Sequence, residues 1–147
     1  MSNVKPIPEG YHSVTPYLIV DHAAELIDFV QKAFGAEVLF KMTQPDGSVG
    51  HTEVRIGDSM LMISGARGEW KAMPTMIYLY VPDADAVYAK ALAAGALSVQ
   101  PMQDQFYGDR SGGVKDVGGN LWYIATHKED VSGEEIERRR EARGGSS

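Results

Sequence analysis

The sequence has no cysteine, which excludes disulfides, thiolate metal sites and cysteine nucleophiles together. It has no apolar run near the roughly 20 residues that a membrane-spanning helix requires, so no membrane partner is expected. It also lacks any excess of positive charge. Fourteen Lys and Arg stand against 20 Asp and Glu, for a net charge of −6. A nucleic-acid partner is therefore not expected, because phosphate binding needs a basic footprint. The one basic cluster, Arg138 to Arg140, lies in a tail that is equally acidic. No GxSxG or Walker motif is present, and the glycines of SGGVKDVGGN do not sit between a strand and a helix. The first ten residues carry Pro6 and Pro8 but no apolar signal-peptide core, which predicts an untargeted cytoplasmic protein.

What remains is an ordinary globular composition, with 147 residues, 44% hydrophobic and 23% charged, enough for one domain with a substantial core. Its most informative stretch is DQFYGDRSGGVKDVGGNLWYIAT, from Asp104 to Thr126. A polar and aromatic loop (Gln105, Phe106, Tyr107, Asp109, Arg110) leads to a Gly118-Gly119-Asn120 turn and then to an apolar strand from Leu121. Glycine tolerates positive φ and Trp, Tyr and Ile suit a pleated surface, so the run reads as a tight reversal into a strand.

Periodicity orders the rest. Val14 to Val20 reads as a strand that Pro16 confines to a sheet edge or to a place where its N–H is unpaired, and Asp21 is placed to cap a helix over Ala23 to Phe34 that Gly35 ends. Glu37 to Met42, Val49 to Ile56 and Ser59 to Ser64 read as strands, the second with His51, Glu53 and Arg55 on one face and Thr52, Val54 and Ile56 on the other. Gly65 to Pro74 breaks both periodicities and reads as a linker. Then the pattern restarts, with a strand over Thr75 to Val81, a helix over Asp83 to Ala94 and a stop at Gly95. Val20 recurs as Val81, Gly35 as Gly95 and Gly57 as Gly118, at spacings of 61, 60 and 61 residues. Such a constant offset marks an internal duplication. The fold expected is α+β: two βαβββ modules, residues 12–64 and 75–127, with their sheets lining a cavity and their helices outside. A C-terminal helix over 133–143, opened by the Ser132 and Glu135 capping box, and a disordered end complete residues 128–147.

VTPYLIVDHAAELIDFVQKAFGAEV, GHTEVRIGDSMLMIS and DQFYGDRSGGVKDVGGNLWYIATH resemble the glyoxalase and bleomycin-resistance proteins of the vicinal oxygen chelate superfamily, over residues 12–127. The resemblance implies paired βαβββ modules, a homodimer and, in metal-dependent members, four His, Gln or Glu ligands near the start of each first strand and within each last strand. Those places fall here on Thr15, Met76, Met62 and Tyr123. Hydroxyl, thioether and phenol are poor ligands for Zn²⁺, Mn²⁺ or Fe²⁺. The expectation is therefore a cofactor-free, metal-independent protein that binds a small organic molecule. Its rivals are a metal-dependent lyase, isomerase or dioxygenase of the glyoxalase type, and a regulatory or structural dimer.

For the ligand site the sequence puts forward His51, Tyr107, Arg110, Trp122, Tyr78 and Tyr123. Tyr17, Met60, Met62, Met76 and Tyr80 are expected on the same cavity wall. The aromatic residues hold an organic ligand by stacking and burial, and Arg110 supplies the cation for an anionic group on it, with Asp109 orienting the guanidinium. His51 and Glu53, two apart on one strand face, read as a polar pair, able in principle to act as acid and base or as two metal ligands. No catalytic residue is assigned.

Overall fold

A computed structural model describes residues 3–144. Its elements run β1 (Tyr17–Val20), α1 (Ala23–Phe34), β2 (Glu37–Thr43), β3 (Val49–Ile56), β4 (Ser59–Gly65), β5 (Met76–Tyr80), α2 (Ala84–Ala93), β6 (Leu97–Asp104), β7 (Asp109–Lys115), β8 (Leu121–His127) and α3 (Gly133–Ala142). The first half of the chain makes one four-stranded sheet, β1-β4-β3-β2, and the second half another, β5-β8-β7-β6. In each, the first and last strands pair parallel and the other pairs are antiparallel. These are the two βαβββ modules that the offset implies.

The register makes the repeat quantitative. Tyr17 stands opposite Met62 on the parallel pair of the first module and Tyr78 opposite Tyr123 on that of the second, each 61 residues on from its counterpart. Pro16 precedes β1, an edge strand; its carbonyl accepts from the Met62 N–H at 2.9 Å on the β4 side, and its missing N–H falls where the ladder begins, a position that tolerates proline.

Three local expectations change. Asp21 does not cap α1; His22 holds the N-cap position, with no side-chain hydrogen bond. Gly35 ends that helix in the left-handed region at φ 67°. The polar loop is shorter than its composition suggests: the turn occupies 105–108, and Asp109 and Arg110 already belong to β7. In α3, Ser132 Oγ accepts from the Glu135 N–H at 3.1 Å, while the Glu135 carboxylate pairs with Arg138 and Arg139 rather than closing the capping box. The expected disordered end at 145–147 lies outside the described residues. Among the described residues no helix is long and apolar enough to cross a membrane.

One apolar core runs through both modules. Leu18, Val20, Leu26, Val30, Val54 and Ile63 from the first join Val114, Trp122 and Ile124 from the second. At the join, the Phe34 ring lies 4.7 Å from that of Trp122. The turn after β7 makes this join possible. Gly119 takes φ 85°, a conformation that side chains disfavour, and a Cβ on Gly118 would fall 2.9 Å from Val20 of the other module. Asp116, buried, ties the turn: its carboxylate accepts from the N–H groups of Gly118 and Asn120 at 2.8 and 3.0 Å, from Asn120 Nδ2 and from Trp122 Nε1 at 2.7 Å. Asn120 Oδ1 in turn accepts from the Thr75 N–H at 2.9 Å, binding the linker end to the turn.

Asp116→Ala should therefore lower stability by about 3 kcal/mol, the scale for leaving several buried donors without an acceptor. Urea unfolding checks this. Trp122→Phe, which keeps most of the ring and loses only the N–H donor, should cost clearly less.

Candidate functional site

Strand alternation leaves each module an open face, turned away from its helix. On the first, β3 buries Thr52, Val54 and Ile56 under α1 and presents His51 and Glu53. Glu53 stands opposite Met62 on one side and Phe40 on the other. His51 Nε2 meets Glu53 Oε2 at 3.0 Å, and the Tyr17 hydroxyl meets His51 Nδ1 at 3.0 Å. The Tyr11 hydroxyl, from the segment before β1, donates to the other Glu53 oxygen. Those two hydrogen bonds, Tyr11 first and His51 second, outweigh burial and lower the Glu53 carboxyl below its usual range. Burial and the same bond push Tyr11 up to about 12. An ionised Glu53 only accepts, so His51 must carry its proton on Nε2. In the neutral ring Nδ1 is then the acceptor and Tyr17 the donor. The result is a directed chain, Tyr17 to His51 to Glu53, braced by Tyr11.

The second open face carries a different network. Asp109 is 4% exposed, yet one carboxylate oxygen accepts from both Tyr78 and Tyr80, at 2.7 and 2.8 Å. The other meets His127 Nδ1 at 2.9 Å, and His127 Nε2 meets Asp130 at 2.7 Å. Burial raises the Asp109 carboxyl, but the bonds from His127, Tyr78 and Tyr80 together bring it below its usual value. His127, held by hydrogen bonds to Asp109 and then Asp130, is raised. Tyr78 is raised by burial, by Tyr107 and by Asp109, and its ring lies nearly parallel to that of Tyr123, at 8° and 6.4 Å.

A family model for the Glyoxalase/Bleomycin resistance protein/Dioxygenase superfamily matches residues 10–124. The chain belongs to this superfamily. It is 35% identical to the uncharacterized protein Mb0911c of Mycobacterium bovis, over 97% of both chains. Among solved structures it is similar in fold to TioX from Micromonospora sp. ML1, with a TM-score of 0.69 at 24% identity over 79% of this chain and 98% of that one. A superfamily member from Sphaerobacter thermophilus superposes at a TM-score of 0.64, with 18% identity over 78% of this chain and 96% of that one.

The metal chemistry of the superfamily can be tested against these residues. Of the expected ligand places, Thr15 precedes β1, Met76 opens β5, and Met62 and Tyr123 lie on the last strands facing Tyr17 and Tyr78: hydroxyl, thioethers and phenols, which do not make a site for a hard or borderline divalent cation. His51 and Glu53 supply two donors, but both are engaged with tyrosines and with each other. No third His, Asp or Glu joins them into a metal-sized group among the described residues. The residues present do not fit the metal.

The six candidates from the sequence separate. Tyr78, Tyr107 and Tyr123 meet on the open face of the second module, and His51 anchors that of the first. Trp122 does not belong with them: it is fully buried on the helix side, its N–H given to Asp116. Neither does Arg110. The step from 109 to 110 turns it to the α2 side, where it forks onto Asp85 at 2.7 and 3.0 Å and reaches Asp104 at 3.3 Å. Its neighbour Asp109, expected only to orient it, is the residue on the open face. Tyr11 and His127 were also passed over. Each lies at the margin of a module, and nothing in the spacing shows that the chain folds back there.

The His127 link predicts a pH dependence. A histidine whose folded value is raised contributes its full stabilisation below the ordinary value of about 6.5 and loses it as pH rises through the folded value. The melting temperature of the wild type should thus decline from pH 6 upward through that value, and the decline should be smaller in His127→Gln. Thermal unfolding across pH 5.5–8.5 provides the check.

Proposed function

We propose that this protein binds a small organic molecule on the open faces of its two sheets, without a metal, and does so as a cytoplasmic homodimer. One observation carries the reading: Thr15, Met62, Met76 and Tyr123 stand where metal-dependent relatives need imidazole or carboxylate, and the strand positions facing Met62 and Tyr123 hold two further rings, Tyr17 and Tyr78. Around them Phe40, Met42 and Tyr80 are exposed in the single chain. Aromatic and apolar surface on this scale, beside the polar anchors His51 and Asp109, suits a ligand held by stacking and fixed by a few hydrogen bonds. The same exposure supports a second copy covering these faces.

Two measurements test this. Sedimentation at micromolar concentration should give a species of about twice the 16.0 kDa of one chain; a monomer would remove the dimer from the proposal. Metal analysis of the purified protein should find no stoichiometric Zn²⁺, Ni²⁺ or Fe²⁺. Metal that is present, and lost on His51→Ala, would replace this reading by that of a metal-dependent lyase or dioxygenase.

A second reading rests on the Tyr17, His51 and Glu53 chain. A carboxylate that sets the tautomer of a histidine, which in turn accepts from a hydroxyl, is the arrangement of a general acid and base. On this reading Tyr17 exchanges a proton with the bound molecule and His51 receives or returns it. Deuterium incorporation from D₂O into a panel of carbonyl compounds, abolished by Tyr17→Phe and by His51→Gln alike, supports it; a wild-type rate equal to that in buffer overturns it.

A further inference from the structure

The linker between the modules is stitched down along its length. The Ala66 N–H donates to the Val20 carbonyl at 2.8 Å, continuing the β1–β4 ladder, and the Met73 N–H donates to the Ile19 carbonyl at 3.1 Å on the opposite edge of β1, so the linker passes from one side of β1 to the other. Within it Arg67 and Trp70 exchange both backbone hydrogen bonds, at 2.8 and 2.9 Å, around Gly68 at φ 56°. Two residues that close such a pair project their side chains to the same side. Beneath them lies a cleft of about 530 Å³, lined by Tyr17, Ile19, Ser64, Gly65, Arg67 and Trp70, within the range of small-molecule sites.

Two of these residues are unexplained by folding. Trp70 is 67% exposed, an expensive placement for an indole with nothing to cover it. The Arg67 guanidinium makes no hydrogen bond or ion pair with any described residue, although those of Arg55, Arg110, Arg138, Arg139 and Arg140 are each met by a carboxylate. Asp46 feels the Arg67 charge only at a distance. A guanidinium left unmatched in a chain of net charge −6 is available to an outside anion. On its far side Arg67 also borders a larger groove of about 780 Å³, but that groove carries Asp21, Glu25 and Asp46. Anions are repelled there and have no aromatic wall to rest on.

We propose that the cleft under the linker binds a small aromatic anion, its carboxylate or sulfonate on Arg67 and its ring against Trp70 and Tyr17. Guanidinium pairs with such groups through a planar fork, and the indole and phenol supply the flat apolar wall. The proposal rests on the ligand-binding reading above and names its chemical class. It gives Arg67 the part that composition alone gives to Arg110. It also places the ligand against Tyr17, the residue shared with the His51 and Glu53 network.

The test uses three probes with one body and different heads: 3-phenylpropionate, 3-phenylpropanol and 3-phenylpropylamine, followed by Trp emission excited at 295 nm and by calorimetry on the full chain. The propionate should bind on the order of tenfold more tightly than the alcohol, the yield of one charge-assisted contact, and the amine more weakly than either. Arg67→Gln should erase the preference for the anion while keeping the alcohol affinity. Arg110→Gln should change nothing. Trp70→Phe should abolish the emission change while the calorimetric signal persists, because Trp122 is buried away from the cleft. Thermal unfolding of each variant separates loss of binding from loss of fold. If Arg67→Gln keeps the anion preference, or the amine binds as well as the propionate, the anion site is wrong while ligand binding on the open face stands. If none of the three probes binds, the anion site falls; if no member of a wider panel of neutral and charged aromatic compounds binds either, the ligand-binding reading falls with it.

Discussion

The contact between Phe34 and Trp122 is the point on which the two halves depend. Neither module buries enough apolar surface alone: each is a four-stranded sheet with one helix, open on its other face. Joining them through the end of α1 and the start of β8 creates a single core and leaves both open faces available. The cost is a polar one. A tryptophan driven into that join brings an N–H that water can no longer reach, and Asp116 is the acceptor. Its remaining bonds go to Gly118 and Asn120, so the turn that aims β8 and the ring that fills the join are held by one carboxylate.

Much of the architecture was legible because it is written twice. Helix α1 and strand β3 fall on the predicted residues, and the offset that relates Val20 to Val81 also relates the facing pairs of the two parallel ladders. The faces of β3 followed from alternation alone. The site was less legible, for a physical reason. Periodicity says which side of a strand a residue takes only when the strand itself is recognised, and β7, with Gly112 and Gly113 in its middle, has the composition of a loop. Reading Asp109 and Arg110 as loop residues hid the fact that they point to opposite sides. Trp122 was misplaced by the same strand logic: in a run apolar on both faces, Trp122 and Tyr123 look alike, and only the partner of the indole N–H distinguishes them. Arg67 and Trp70 had no periodicity to place them at all.

The duplication has diverged in its polar content while keeping its apolar frame. Opposite Met62 the first module has Glu53, whereas opposite Tyr123 the second has Gly113. A Cβ at Gly113 would lie 3.0 Å from the Tyr123 ring, so the larger aromatic residue on one strand goes with the loss of a side chain on its neighbour. The second module carries its charge at the start of β7, at Asp109, supported by tyrosines rather than by a histidine on the same strand. Two related frames thus present two chemically distinct surfaces.

Both outermost strands are irregular. β2 breaks register between Val38 and Phe40 and again between Lys41 and Thr43, and β6 between Ser98 and Gln100 and between Gln100 and Gln103, where it also carries Pro101. A strand so interrupted is a poor template for another. Lateral growth into fibrils or stacked sheets is thereby discouraged at the β2 and β6 edges, however much apolar surface the molecule displays. Along these two borders a newly made chain in a crowded solution offers its neighbours no template, and its apolar surface is met through the open faces instead.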